Sequence, residues 1–343
     1  MLRRKTLKNL TRLFTSSLAP LMPSRPRRSK ASPAKALPAA QRVRTRAKTA
    51  PARPSGGRWL WGVAVAPAGK RRYRLFLPAG RLPGQRIPVV VMLHGCDQNA
   101  ARFAASTRMH LIAARAGFAV LYPEQDRLAN PNGCWNWYET RTQRAFAEAA
   151  LVLQAVEQVC TLYGGDRTRV AIAGLSAGAG MAALVAARYP ERFQAVAMHS
   201  GVPPGTAHST ASALRAMAGH GATDALAATP QAMLAHWPAL LVIQGGQDRV
   251  VAPRNGAAAA LAWAQAAQAL PGAARAVQRG KRHAMRVTDY RVRQRTMATL
   301  VEIPALGHAW SGGAATQAYG DPDGPDASRL VWAFAQRQFA RRR

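Results

Sequence analysis

The sequence predicts an α/β domain built on a mostly parallel, eight-stranded sheet with helices on both faces. Three observations carry this reading. Short β-branched runs alternate with Ala-rich amphipathic stretches, the pattern of strands joined by crossover helices. Several strand runs, VVVML and LLVIQ among them, are continuously apolar, as strands covered on both faces must be. A Gly-rich turn at residues 174–178 joins a strand pattern directly to a helical one.

Residues 1–58 stand apart from this pattern. They hold 16 Lys/Arg and no acid, are rich in Pro and Ala, and lack periodic apolar positions, so they read as a basic flexible arm. The other 285 residues keep 32 Lys/Arg against 15 acids, a net +17 of the total +33. Such an arm attracts polyanions or an anionic membrane surface without choosing a sequence. The stretch Leu10 to Met22 is interrupted by Arg12 and Pro20 and makes no convincing secretory signal. The charge-free run Val170 to Ala187 reaches the length of a membrane span, but its three Gly and its Ser mark a turn instead.

Residues 59–343 form the expected catalytic domain. Eight strands are predicted in order: Trp59 to Val65, Tyr73 to Leu77, Val89 to Leu93, Phe118 to Tyr122, Val170 to Ala173, Ala195 to Met198, Leu240 to Gln244 and Thr299 to Ile303. The turn Pro67 to Gly69 makes a hairpin of the first two. Helices are predicted over Ala101 to Ala116, Gln143 to Tyr163, Ala177 to Tyr189, Gly256 to Leu270 and Ala327 to Arg341, each with apolar residues at three-to-four spacing. Three cysteines exclude a disulfide-built mini-fold, and Cys160 lies on the apolar stripe of a helix, where an inert buried thiol is expected.

Gly174-Leu175-Ser176-Ala177-Gly178 fits Gly-x-Ser-x-Gly between a strand and a helix, the context that motif requires. Glycines on both sides let the serine hydroxyl project from a tight turn. A serine needs a base, and the base needs a carboxylate to fix its tautomer, in the chain order serine, acid, histidine. Five acids lie between Ser176 and His308: Glu191, Asp224, Asp248, Asp289 and Glu302. Asp248 alone sits just past a strong strand, where loops of parallel sheets carry sites. His308 follows the last strand in a Gly-rich loop and is the expected base, ahead of His283 and His236. The oxyanion of an acyl-transfer intermediate calls for the amides of Ala177 and Cys96. His94 reads as a structural histidine bracing that loop.

The stretches LHGCDQ, FAVLYPEQ, NPNGCWNWY, RVAIAGLSAGAGMA, HSGVPPG and GHAWSGG, in this order, resemble the catalytic domain of polyhydroxyalkanoate (PHB) depolymerase-family esterases, relatives of feruloyl and acetylxylan esterases. The resemblance implies an α/β-hydrolase fold with a triad at Ser176, Asp248 and His308. It implies that Trp135 and Trp137 line the acyl or polymer groove, the alternative being two core tryptophans. It also implies that Cys96 and Cys134 pair as a disulfide in an oxidising compartment. Gln244-Gly245 replaces the family's frequent His-Gly, and Ala179-Gly180 its usual Gly-Gly.

The expected function is therefore a serine carboxylic ester hydrolase acting on short-chain hydroxyalkanoate polymers, oligomers or related esters. A feruloyl or acetylxylan-type esterase is the alternative; a serine peptidase or a polyanion-binding protein on the same scaffold stands behind both. No metal or organic cofactor is implied, and no base-reading motif points to a specific nucleic acid. No substrate-binding module is expected after the last helix, which makes soluble esters as reasonable an expectation as polymer. The resemblance favours an extracellular location over a cytoplasmic one; oligomeric state is not legible.

Overall fold

A computed structural model describes residues 56–221 and 236–341. Residues 1–55 of the arm and Asp224 lie outside these. Ten strands join one large sheet in the order β1 (Gly57–Ala66), β2 (Gly69–Pro78), β4 (Ala119–Pro123), β3 (Ile87–Leu93), β5 (Gly165–Leu175), β6 (Ala195–His199), β7 (Ala239–Gly245), β11 (Arg295–Ile303), β10 (Met285–Val292) and β8 (Leu270–Pro271), and β9 (Arg275–Val277) pairs with β10 as the eleventh. From β4 to β11 every neighbouring pair is parallel; the strands outside that block are antiparallel.

All eight expected strands are present, and the sheet adds β8, β9 and β10 at one end. The strand β10 escapes a search for apolar runs because MRVTDYRV is buried only on alternate residues for much of its length. Its buried carboxylate, Asp289, accepts from Thr299 Oγ1 at 2.7 Å and pairs with Arg275 at 2.8 Å. At the other end, β1 begins at Gly57, so the sheet takes in two residues whose composition resembles the arm.

The parallel core is covered on both faces. On one lie α3 (Arg144–Leu162), α4 (Ala177–Arg188), α5 (Thr210–Met217) and α6 (Arg254–Ala266); on the other, α1 (Ala100–Thr107), α2 (Met109–Ala116) and α7 (Ala327–Ala340). The helix expected over Ala101 to Ala116 is two helices. Arg108 takes a left-handed φ of 52°, closes α1 through its amide to Ala104, and sends its guanidinium 2.7 Å to the Gly312 carbonyl. The apolar periodicity runs through this break because its cause is a partner 204 residues away. Cys160 is buried in α3, and burial pushes its thiol up to about 11.

Candidate active site

Parallel strands end together, so the residues that follow β3, β5, β6, β7 and β11 meet at one sheet edge. The sharpest turn is at Ser176, which has φ 57° and ψ −121° between β5 and α4, a conformation that costs a non-glycine residue on the order of 1–3 kcal/mol. The flanking glycines allow it. A Cβ on Gly174 would meet the Gly178 carbonyl oxygen at 2.2 Å, and one on Gly178 would meet the Leu93 carbonyl oxygen at 2.3 Å. Backbone bonds fix the turn: Ser176 N–H donates to the His199 carbonyl at 2.9 Å, and the Ser176 carbonyl accepts from Ala179 and Gly180.

Asp248, in the loop after β7, is buried and fully engaged. One carboxylate oxygen accepts from the amides of Val250 and Val251 at 2.9 and 2.8 Å, the other from His308 Nδ1 at 2.8 Å. Burial alone would raise this carboxyl group; the His308 hydrogen bond and charge, with the two amides, outweigh it and hold the group below its ordinary range. Gln244 directs its Nε2 at 3.3 Å to the same carboxylate and to the Val251 carbonyl. His308 thus lies ring-to-carboxylate with Asp248, as the sequence suggests. Ser176 Oγ, in contrast, makes no hydrogen bond to His308 in this structure.

What joins the serine turn to the histidine loop is His199, the first residue of the HSGVPPG stretch. Its carbonyl holds Ser176 N–H, and its Nε2 accepts the Ser311 N–H at 3.0 Å, three residues beyond His308. Nε2 must then be unprotonated, so Nδ1 carries the proton toward Ser200 Oγ at 3.1 Å. Burial, reinforced by the His308 charge and opposed by Asp248, lowers His199 to about 3, and Trp310 stacks on the ring at 5.0 Å. A neutral imidazole here holds the loop geometry without placing a cation beside His308.

The loop after β3 supplies the other wall. His94 is buried, donates from Nδ1 to the Gly95 carbonyl at 2.8 Å and accepts the Gln125 amide on Nε2 at 3.1 Å; burial lowers it to about 4. It braces the loop, as expected. The Gly95 amide is taken by Gln98 Oε1 and the Asp97 amide by the Asn132 carbonyl, while the Cys96 amide between them has no acceptor among the described residues. Ala177 is the first residue of α4, where an amide has no intrahelical acceptor.

Cys96 is joined by a disulfide to Cys134 of the neighbouring loop. That loop is held from below by a buried carboxylate, Glu148 of α3, which accepts from Asn136 N, Asn136 Nδ2 and Gln125 Nε2 at 3.0, 2.7 and 2.7 Å. Above it, Trp135 donates from Nε1 to the His94 carbonyl at 3.1 Å, and Trp137 packs over Gly180, where a Cβ would meet its ring at 3.0 Å. Both indoles are buried in the core, and both also line a cavity of about 280 Å³ with Ser176, Cys96, Val202 and Met217. Cavity wall and core are here the same side chains. Among the described residues no cluster of three His, Cys, Asp or Glu could hold a metal ion.

A family model described as "Esterase PHB depolymerase" matches residues 71–279. The chain belongs to this family. The match takes in Ser176 and Asp248, and His308 lies beyond its C-terminal limit. Poly(3-hydroxyalkanoate) depolymerase C of Paucimonas lemoignei is 35% identical over 180 residues, 49% of this chain and 42% of that protein. Feruloyl esterase B of Neurospora crassa is 34% identical over 116 residues, 33% of this chain and 39% of that one. A probable acetylxylan esterase A of Aspergillus fumigatus is 26% identical over 180 residues, 49% and 48% of the two chains. The chain thus matches less than half the length of each of these relatives. The solved acetyl xylan esterase from Aspergillus awamori superposes with a TM-score of 0.62 at 20% identity, covering 74% of this chain and 94% of that one. The fold is that of the α/β-hydrolases.

Proposed function

We propose that this family member is a serine carboxylic ester hydrolase. Ser176 attacks the ester carbonyl carbon, His308 Nε2 takes the hydroxyl proton, and Asp248 holds the Nδ1–H and balances the imidazolium. The amides of Ala177 and Cys96 stabilise the oxyanion. Collapse expels the alcohol with the proton from His308, and water releases the acyl group by the reverse sequence. The observation that carries the reading is the 2.8 Å bond from His308 to a buried Asp248, at the sheet edge where Ser176 occupies a strained turn. Hydrogen bonds between nucleophile and base are often open before substrate binds, so Ser176 and His308 need only close in the Michaelis complex.

Ser176→Ala should lower kcat toward p-nitrophenyl butyrate by on the order of 10⁶. A variant retaining a tenth of parental turnover would refute the assignment.

The small, mostly apolar cavity supports a short acyl group, as in hydroxybutyrate oligomers, with feruloyl and acetylated-sugar esters as the second reading from the relatives' names. Turnover across these esters and a peptide amide orders the candidates: hydroxybutyrate oligomers are expected to give the highest kcat/KM, and a faster amide would displace the esterase reading. The Cys96–Cys134 disulfide supports an oxidising, extracellular location. Thiol titration of denatured, unreduced protein should then find one reactive cysteine, Cys160; finding three would remove that support.

A further inference from the structure

The strand β1 is an edge of the sheet, and one of its faces is unusual. Leu60 and Ala64 point to the α3 side and pack in the core there. Trp59 points the other way and is covered by Phe76, His110 and Tyr122. The next three residues on that face have no such cover: Trp61 is 62% exposed, Val63 44% and Val65 68%. Their cross-strand partners in register are Arg74, Arg72 and Lys70. The ribbon therefore presents an apolar row beside a cationic row, and the Arg74 guanidinium lies 4.4 and 4.8 Å from the rings of Trp59 and Trp61.

No acid lies within the ribbon itself, and Glu124, whose amide donates to the Arg72 carbonyl from the neighbouring strand's end, has its carboxylate engaged by the Ala100 N–H at 3.0 Å. Residues 57–78 contain five Lys/Arg and no acid, and the first acid of the whole chain is Asp97. Exposed edge strands are ordinarily protected by charge or cover, and a Trp-Val-Val row left bare is costly in water. The cations require an anionic partner. The branched aliphatic residues require that it also offer an apolar layer, which neither a polysaccharide nor a duplex nucleic acid does. An indole beside aliphatic residues and Lys/Arg is the composition that settles at a lipid headgroup boundary.

We infer that the outer face of the β1–β2 ribbon docks on an anionic lipid bilayer, with Trp61, Val63 and Val65 entering the headgroup layer and Lys70, Arg72 and Arg74 meeting lipid phosphates. The basic residues 1–55 carry the same sign and add long-range attraction to such a surface. The ribbon supplies the short-range contact. None of its exposed residues lines the cavity beside Ser176, so docking and turnover are separable.

The test is co-sedimentation of the full chain with phosphatidylcholine vesicles, with and without phosphatidylglycerol, at rising salt. The parental protein should bind only the anionic vesicles and release with salt. Trp61→Ala combined with Val65→Ser should weaken binding at least tenfold, Lys70→Gln with Arg72→Gln severalfold, and both should hydrolyse p-nitrophenyl butyrate at the parental rate. Parental binding by the Trp61/Val65 variant would assign the attraction to residues 1–55 and overturn the inference. Equal binding to neutral vesicles, or no binding to either, would overturn it too, as would tighter binding to single-stranded DNA with the same dependence on Trp61.

Discussion

At residue scale, His199 is placed to affect the proposed reaction without itself transferring a proton. It touches neither the cavity nor the carboxylate; it fixes the serine turn through its carbonyl and the His308 loop through its ring. Removing the ring frees Ser311 N–H in a buried site and lets His308 drift, and a 1 Å displacement of a catalytic group can cost about 10²-fold. His199→Ala should therefore lower kcat toward p-nitrophenyl butyrate by roughly ten- to a hundredfold with KM little changed. His199→Gln, which can present an acceptor oxygen to Ser311, should recover most of the loss; equal defects in the two variants would indicate packing rather than positioning. Gly178 is constrained differently. A methyl group there collides with the Leu93 carbonyl, so Gly178→Ala should lose activity by dislodging Ser176 or the Cys96 loop.

At the scale of elements, what could be read from the sequence depended on how local its cause was. Parallel strands buried on both faces are continuous apolar runs, so the six of the parallel block were legible, as were β1 and β2 from the hairpin turn between them and the Gly-x-Ser-x-Gly turn, whose steric requirements lie within five residues. Asp248 was legible because it follows β7 directly. The break at Arg108 and the role of His199 were not, since each is decided by a partner far away in the chain, and the strand β10 was not, since it is buried only on alternate residues and carries an ionised Asp289 paired with Thr299 and Arg275. The support beneath the tryptophan loop belongs with these. Glu148 meets Asn136 and Gln125 across 12 and 23 residues, and nothing in the helix periodicity of α3 marks it as an acceptor of three hydrogen bonds. Glu148→Ala would leave the Asn136 N–H without an acceptor and take from the Asn136 and Gln125 amide groups one of their two, at about 1–3 kcal/mol for each bond lost where no water replaces it. Its denaturant midpoint should fall accordingly, with a loss of activity because the loop lines the cavity. Glu148→Gln, keeping one acceptor oxygen, should be milder on both counts; a parental midpoint for the alanine variant would contradict the bracing role.

At the scale of the whole molecule, charge and burial together set the pH range of the fold. Two imidazoles, His94 and His199, are locked neutral inside it, lowered by burial to about 4 and about 3 from an ordinary value near 6.5. In the unfolded chain both bind protons below about pH 6.5, whereas in the folded one they do not until pH 4 and below, so acid favours unfolding across that window. Asp248, Asp289 and Asp166 act in the same direction further down, because their hydrogen bonds hold them ionised and that stabilisation disappears as they protonate. Each unit of separation between folded and unfolded values is worth about 1.4 kcal/mol, which puts the two histidines together at several kcal/mol. The formal charge of +33 also rises as the acids are neutralised, adding self-repulsion. Thermal melts followed by circular dichroism should therefore show Tm dropping by on the order of ten degrees between pH 7 and pH 4. Most of the decline should fall below pH 6.5, where the unfolded imidazoles titrate. A Tm that holds steady or rises over that interval would mean His94 and His199 are not held neutral, and with them the donor and acceptor roles that fix the loops around Ser176 and His308 would have to be reassigned.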